Sequence, residues 1–121
     1  MTTHEIAHQY YVLASQEKWS DIQEKFHDDQ VVCQEPEHAA LRGIPVLTKG
    51  KEEVKAKSRK SRDMIETVHF QSCSEPIVGG DFFSVVLKRD VTMKNKQRME
   101  MEEIGIFHVK EGKIVSEHFF Y

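Results

Sequence analysis

The spacing of apolar residues divides the chain into a largely helical first half and a β-rich second half. Apolar side chains recur every three or four residues in three stretches, which is the pattern of amphipathic helices. The predicted helices are residues 3–16, 19–27 and 50–65. Alternating or continuous apolar runs predict strands over residues 31–33, 68–73, 82–93, 97–109 and 113–121. Ser20 and Gln23 form a capping-box pattern at the second helix, and residues 35–45 form a loop.

The order of these elements predicts an α+β fold. Tight turns at residues 94–96 and 110–112 join the last three strands into an antiparallel meander. Helices followed by such a sheet favour a curved sheet that packs its inner face on the helices. A length of 121 residues suits one domain, residues 1–121. Apolar residues are too numerous for one face of the strands, so we predict a homodimer formed through the outer sheet face.

Composition and charge exclude several functional classes. The net charge is −3, and the basic residues of the third helix have no aromatic residues between them, so we predict no nucleic-acid binding. The chain lacks both a long apolar run and the pattern of a secretory signal, which predicts a cytoplasmic protein without membrane contact. Cys33 and Cys73 have no closely spaced partner and are interpreted as reduced, buried thiols.

Several short motifs resemble those of the nuclear transport factor 2-like superfamily, in its SnoaL-like and ketosteroid isomerase-like branch. They are Tyr10-Tyr11, the segments 26–29, 50–54 and 112–115, and Glu35-Pro36. The resemblance implies a cone-shaped, cystatin-like roll with three N-terminal helices on a strongly curved, mixed but mostly antiparallel sheet. It also implies a pocket between helices and sheet, which in some members binds steroids, polyketides or epoxides and in others packs a protein partner.

The ketosteroid isomerase-like pattern points to proton-transfer chemistry. Glu35, beside Pro36, matches the pattern's catalytic base, and Tyr11 matches its hydrogen-bond donor to an enolate. An apolar pocket raises the pKa of a carboxyl group, which suits it to abstract a carbon-bound proton near neutral pH. Either Gln34 or Glu35 points inward, depending on a bulge. The pattern's late-strand acid falls at Gly105, and Glu103 shares that face of the strand.

The last strand carries the other candidate polar group. SnoaL-like cyclases use an aspartate there, and Phe119 takes its place in this sequence. Glu117 or His118 is the nearest titratable group, depending on register. Alternation places Val115, Glu117, Phe119 and Tyr121 on one face, with His118 on the other.

One further motif suggests zinc. His4 and His8 match the H-E-x-x-H signature of zinc proteases. Helix geometry places both on the polar side of the first helix, away from a cleft, so we predict no metal and no cofactor.

The sequence therefore leaves two functions open. The first is binding of a small, mainly apolar molecule with proton transfer next to a carbonyl, as in an isomerase or cyclase. The catalytic candidates are Glu35, Tyr11, Glu103 and Glu117, and the predicted pocket-lining residues are Trp19, Phe26, Cys33, Met101, Phe107, Phe119 and Tyr121. The alternative is a non-catalytic ligand-binding or dimeric assembly module, whose pocket is filled by Trp19, Phe26, Phe107 and methionine side chains.

Overall fold

The computed structural model describes residues 1–121 as three α-helices and seven β-strands. The helices are α1 (Thr3–Ser15), α2 (Trp19–Phe26) and α3 (Lys51–Asp63). The strands are β1 (His27–Gln34), β2 (Leu47–Lys49), β3 (Ile65–Cys73), β4 (Ile77–Gly79), β5 (Phe82–Met93), β6 (Arg98–Lys110) and β7 (Lys113–Phe120). A 3₁₀ helix, Glu37–Arg42, lies in the segment predicted to be a loop. None of the helices is long and apolar enough to span a membrane.

All strands belong to one sheet with the order β2-β1-β7-β6-β5-β3, and β4 pairs with β5. The β1–β7 pair is parallel, and every other pair is antiparallel. The predicted α+β roll with a mixed, mostly antiparallel sheet is therefore confirmed. Strand β1 begins at His27, several residues before the predicted strand, because its pairing with β7 extends back to His27 and Ile114.

The helix ends show where sequence patterns succeed and fail. In α1, the Thr2 side chain accepts a hydrogen bond from the Glu5 backbone, and the Glu5 side chain accepts one from the Thr2 backbone. This reciprocal pair is a capping box. The predicted cap of α2 at Ser20 is wrong. The helix begins at Trp19, so Ser20 lies inside its first turn, and the N-cap residue, Lys18, makes no side-chain hydrogen bond.

The core lies between α1, α2 and the concave face of the sheet. Alternate residues of β5 and β6 point inward, including Phe83 and Phe107, whose rings stack with centroids 4.7 Å apart. The Tyr10 ring packs on both, at 5.6 Å and 4.6 Å. Phe26 joins the same cluster and is almost completely buried. This aromatic layer closes the inner end of the space between helices and sheet.

Candidate functional site

Beyond the aromatic layer, the helices and the concave face of the sheet line a cavity of about 560 Å³ that opens to solvent. One stripe of α3 forms a wall, because residues three and four positions apart share a helix face. The residues of this stripe are Val54, Lys57, Ser58, Ser61 and Arg62. The opposite wall comes from alternate residues of the strands, including Leu87, Met99, Met101, Glu103, Glu117 and Phe119. The cavity thus combines an apolar lining with several ionisable groups.

Glu35 and Lys57 form an ion pair in the cavity wall. Lys57 Nζ donates a hydrogen bond to Glu35 Oε1 at 3.2 Å and another to Cys33 Sγ at 2.8 Å. Each charged side chain is only 12% exposed. Burial acts to lower the pKa of Lys57, but its contacts with Cys33 and Glu35 outweigh burial and raise it, so Lys57 remains an ammonium. The second oxygen of Glu35, Oε2, is buried without a hydrogen-bond partner.

His27 and Glu117 form a second buried pair in the lining. His27 Nε2 lies 3.5 Å from Glu117 Oε2, and the two side chains are 1% and 8% exposed. Both ring nitrogens of His27 lack a hydrogen-bond partner. Glu117 pairs in register with Cys33 on the parallel strand β1, which brings this pair beside the Lys57 contacts. Five polar groups, from β1, α3, β7 and the segment that follows β1, therefore lie along one part of the cavity.

Tyr10 stays protonated at neutral pH, and Glu103 is protonated in about half of the molecules there. Burial, together with the charges of Glu35 and Glu117, raises the pKa of Glu103 to about 7. Burial also raises the pKa of the Tyr10 phenol well above its ordinary value, and the charges of Glu117 and Glu103 act in the same direction. A protonated carboxyl and a neutral phenol can both donate a hydrogen bond to a developing negative charge.

The raised pKa of Glu103 predicts a pH-dependent stability. The folded-state pKa of about 7 exceeds the ordinary value of 4.5, so the free energy of unfolding should fall as pH rises from about 4.5 to about 7. Glu103→Gln removes this loss. We expect the variant to match the wild type at pH 4.5 and to exceed it by about 2–3 kcal/mol at pH 8, since one pKa unit corresponds to about 1.4 kcal/mol.

Urea unfolding at both pH values measures this difference. Glu53→Gln, an exposed change on α3, is the matched control and should track the wild type at both pH values. A constant difference between Glu103→Gln and the wild type across this pH range would contradict the assignment.

The structure brings most of the sequence-predicted site residues to the cavity. Those in its lining are Glu35, Glu103, Glu117, Trp19, Cys33, Met101, Phe119 and Tyr121. The open choice at the first strand falls on Glu35, since Gln34 is exposed. Burial raises the pKa of Tyr121, and the adjacent Glu35 carboxylate raises it further through its charge and as an acceptor toward which the Tyr121 hydroxyl can turn.

Three predicted site residues lie elsewhere. Tyr11 is half-buried outside the cavity, and Tyr10 lines it instead, because neighbouring positions on a helix point about 100° apart. Phe26 and Phe107 belong to the packed core rather than to the lining.

The last two strands contain two further differences from the expected pattern. Val115 does not join the face of Glu117, because a register shift in the β6–β7 pair makes Ile114 the fully buried residue. At Gly105, an added Cβ would lie 2.9 Å from a ring atom of Phe107 and 3.1 Å from one of Phe119. Two aromatic rings thus occupy the place of the expected late-strand acid.

The histidines outside the cavity have surface positions. His4 and His8 are exposed on α1, as the helix geometry predicted. His118 lies on the outer face of β7 and stacks on Phe120 with centroids 4.1 Å apart.

Sequence reasoning missed several lining residues that carry charge or hydrogen-bonding groups, among them His27, Lys57, Arg62 and Arg89. Helical spacing would have found Lys57 and Arg62, which follow Val54 by three and eight residues. Alternation along β5 would have found Arg89. No periodic signal marks His27, which lies at the junction of α2 and β1.

The curved sheet and its largely apolar cavity with a few ionisable groups are those of a class of small α+β proteins, and comparisons with known proteins identify the family. The SnoaL-like domain model matches residues 1–121, and the chain belongs to this family. A proposed SnoaL-like polyketide cyclase from Mesorhizobium loti is 35% identical, with both chains covered completely and a TM-score of 0.90.

More distant structures share the fold. A nuclear transport factor 2-like protein from Burkholderia pseudomallei is 17% identical, with a TM-score of 0.80, over all of this chain and 92% of that one. TerC, in a structure with polyporic acid, is 19% identical, with a TM-score of 0.74, over 95% of this chain and 91% of that one. The comparison with curated proteins gives no match.

Proposed function

We propose that this protein binds a small, mainly apolar carbonyl compound in its cavity and catalyses proton transfer at the carbon next to the carbonyl. The observation that carries the proposal is the state of Glu35. One of its oxygens is fixed by Lys57, and the other is buried without a partner in the cavity wall. A carboxylate held in this way has a free oxygen available for a substrate hydrogen.

The proposed reaction uses Glu35 as the base. Glu35 Oε2 accepts a proton from the α-carbon, and the electron pair of the broken C–H bond forms the enolate. Tyr10 or protonated Glu103 donates a hydrogen bond to the enolate oxygen, in the role first assigned to Tyr11. Glu35 then returns the proton to carbon, either at the original position or at a conjugated one, which gives an isomer. Glu117, which lies beside His27, is the alternative to Glu103 as the second polar group of the proposed site.

The shape of the cavity supports ligand binding over the alternative of a self-filled module. A cavity of about 560 Å³ lies between helices and sheet, which is within the range of small-molecule pockets. Trp19 lines this space without filling it, and Phe26 and Phe107 pack in the core. The same fold in TerC was co-crystallised with polyporic acid, which supports a small-molecule ligand in a fold of this kind.

Hydrogen–deuterium exchange of a simple ketone tests the proposal without knowledge of the natural substrate. 2-Tetralone is a compact apolar ketone whose α-hydrogens exchange slowly in neutral D₂O. We expect the protein to accelerate this exchange in proportion to its concentration, as followed by proton NMR. Exchange at the buffer rate would contradict the proposed function.

We also propose that the protein is a cytoplasmic homodimer that associates through the convex sheet face. The apolar residues exposed on this face include Ile104, which pairs with Phe120 across β6 and β7. Ile106 lies between Ser84 and His118 in the same register. A second copy of the chain would remove this continuous apolar surface from water.

Replacing one central residue of this surface should dissociate the dimer. Ile104, 46% exposed, lies in the middle of the surface, and Ile104→Asp would place an unpaired charge in the interface. We expect light scattering after size exclusion to give a dimer for the wild type and a monomer for this variant. Leu41→Asp, at a 90% exposed position on the 3₁₀ helix, should remain dimeric. A monomeric wild type would refute the proposed interface.

A further inference from the structure

Three arginines line the cavity. Arg42 is exposed on the 3₁₀ helix, whereas Arg62 and Arg89 are partly buried at positions where the helix and strand patterns favour uncharged residues. Arg89 takes an inward position of β5 between Leu87 and Val91, which are both buried. Arg62 lies at the C-terminal end of the cavity-facing stripe of α3. Most of the basic residues of α3 lie outside the cavity lining, and Arg62 and Lys57 are the two that reach it. Lys57 is paired with Glu35, and Arg89 reaches Glu17 through Nη2 alone. Arg62 and the rest of the Arg89 guanidinium have no acidic partner and need a separate explanation.

No acidic side chain bridges the two guanidinium groups. Arg62 donates hydrogen bonds to Ser58 Oγ at 2.6 Å and to Ser20 Oγ at 3.4 Å, and both acceptors are neutral. Arg89 Nη2 lies 3.4 Å from Glu17 Oε1, and its Nε is buried without a hydrogen-bond partner. A buried unpaired donor is unfavourable, and an acceptor atom of a ligand would satisfy it.

The two arginines are also close enough to repel one another. Burial lowers the pKa of Arg62, and the positive charges of Arg59 and Arg89 lower it further. Arg89 in turn acts on Glu103, where it opposes the effect of burial on the carboxyl pKa. The cavity is thus polarised, with a cationic region at Arg62 and Arg89 next to the acidic region of Glu103, Glu35 and Glu117. An anion in the cationic region would relieve the repulsion between the arginines.

We propose that Arg62 and Arg89 form an anion-binding subsite of this cavity, which takes the carboxylate group of a small, otherwise apolar ligand. The inference rests on the proposed function, because it names the class of carbonyl compound that the site accepts. A carboxylate presents two oxygens in a plane, which matches the hydrogen-bonding geometry of guanidinium groups. The neighbouring lining residues Met64, Ile65 and Met93 provide apolar surface for the body of the ligand. Bound in this way, the ligand would extend from the arginines towards Glu103 and Glu35.

Two ligands of nearly equal shape test the subsite. 2-Naphthoate and 2-naphthamide share one apolar ring system, and only the former is charged at pH 8. We expect calorimetric titration of the wild type to show about tenfold or greater preference for the naphthoate, because charge-assisted hydrogen bonds are the stronger kind. Arg62→Gln and Arg89→Gln should each remove most of this preference, because the affinity for the naphthoate falls much more than the affinity for the naphthamide. Arg59→Gln, an exposed change on the same helix, should keep the full preference.

The possible outcomes separate the subsite from the proposed function. The subsite would be overturned if the wild type bound both ligands with equal affinity, or if Arg62→Gln kept the preference for the naphthoate. In either case, binding of the naphthamide would still support an apolar ligand cavity. Binding of neither ligand would contradict the subsite and the proposed function together. Circular dichroism establishes whether each variant is folded. If Arg89→Gln does not fold, Arg62→Gln decides the result, since Arg62 bonds only to two serine hydroxyls.

Discussion

Replacing Glu35 with glutamine should reduce protein-catalysed deuterium exchange of 2-tetralone by about 100-fold or more, which is the usual contribution of a positioned general base. The amide has nearly the same shape as the carboxyl group but cannot accept a proton from carbon. Because one Glu35 oxygen already accepts a hydrogen bond from Lys57, the free oxygen Oε2 is the atom that we expect to take the proton. Proton NMR in D₂O, with the ketone in excess, measures the exchange rate of wild type and variant.

The matched control for this variant is Glu37→Gln. Glu37 is two residues further along the chain, on the exposed side of the 3₁₀ helix, and it does not line the cavity. This variant should exchange the ketone at the wild-type rate. If Glu35→Gln were as active as Glu37→Gln, Glu35 would have no part in the reaction. The general base would instead be Glu103 if Glu103→Gln exchanged the ketone near the buffer rate while Glu35→Gln kept the wild-type rate.

The largest effect on stability is expected for Phe107→Ala, which should lower the free energy of unfolding by about 3–5 kcal/mol. The Phe107 side chain is fully buried. It packs against Tyr10, Phe83 and Phe119, with ring centroids 4.6 Å, 4.7 Å and 6.0 Å away. Truncation leaves a void in the middle of the aromatic layer, where the neighbouring rings from one helix and two other strands cannot all move inward. Urea unfolding followed by circular dichroism measures the loss.

Leu41→Ala is the control for Phe107→Ala. It removes apolar atoms at a 90% exposed position and should change the free energy of unfolding by less than about 0.5 kcal/mol. A loss below about 1 kcal/mol for Phe107→Ala would mean that Phe107 lines a flexible pocket wall, as the sequence first suggested. The two variants therefore distinguish a core residue from a pocket residue at this position.

Alternation along the strands predicted much of the site, because a strand with one buried face fixes the direction of every second residue. It placed Glu103 on the inward face of β6 and grouped Glu117, Phe119 and Tyr121 on one face of β7. It failed at Val115, because an irregularity in the β6–β7 pairing makes Ile114, and not Val115, the residue that points into the core. A bulge of this kind depends on both strands and has no signal in one of them.

The helices show a different limit. The spacing of α1 already groups Tyr10 with the buried Ile6 and Ala14, whereas the family motif drew attention to the adjacent Tyr11. Periodicity was the better guide because burial follows from the direction of a side chain on its own helix. His27 could not be found in either way. Its place in the cavity depends on the parallel pairing of β1 with β7, which joins segments far apart in the chain.

The position of the ketone in a crystal structure of the protein with 2-tetralone tests the account most directly. Our account predicts that the ring lies between α3 and the concave face of the sheet, with an α-carbon about 3–3.5 Å from Glu35 Oε2. A ketone bound outside this cavity, or one inside it with both α-carbons turned away from Glu35, would contradict the proposed reaction.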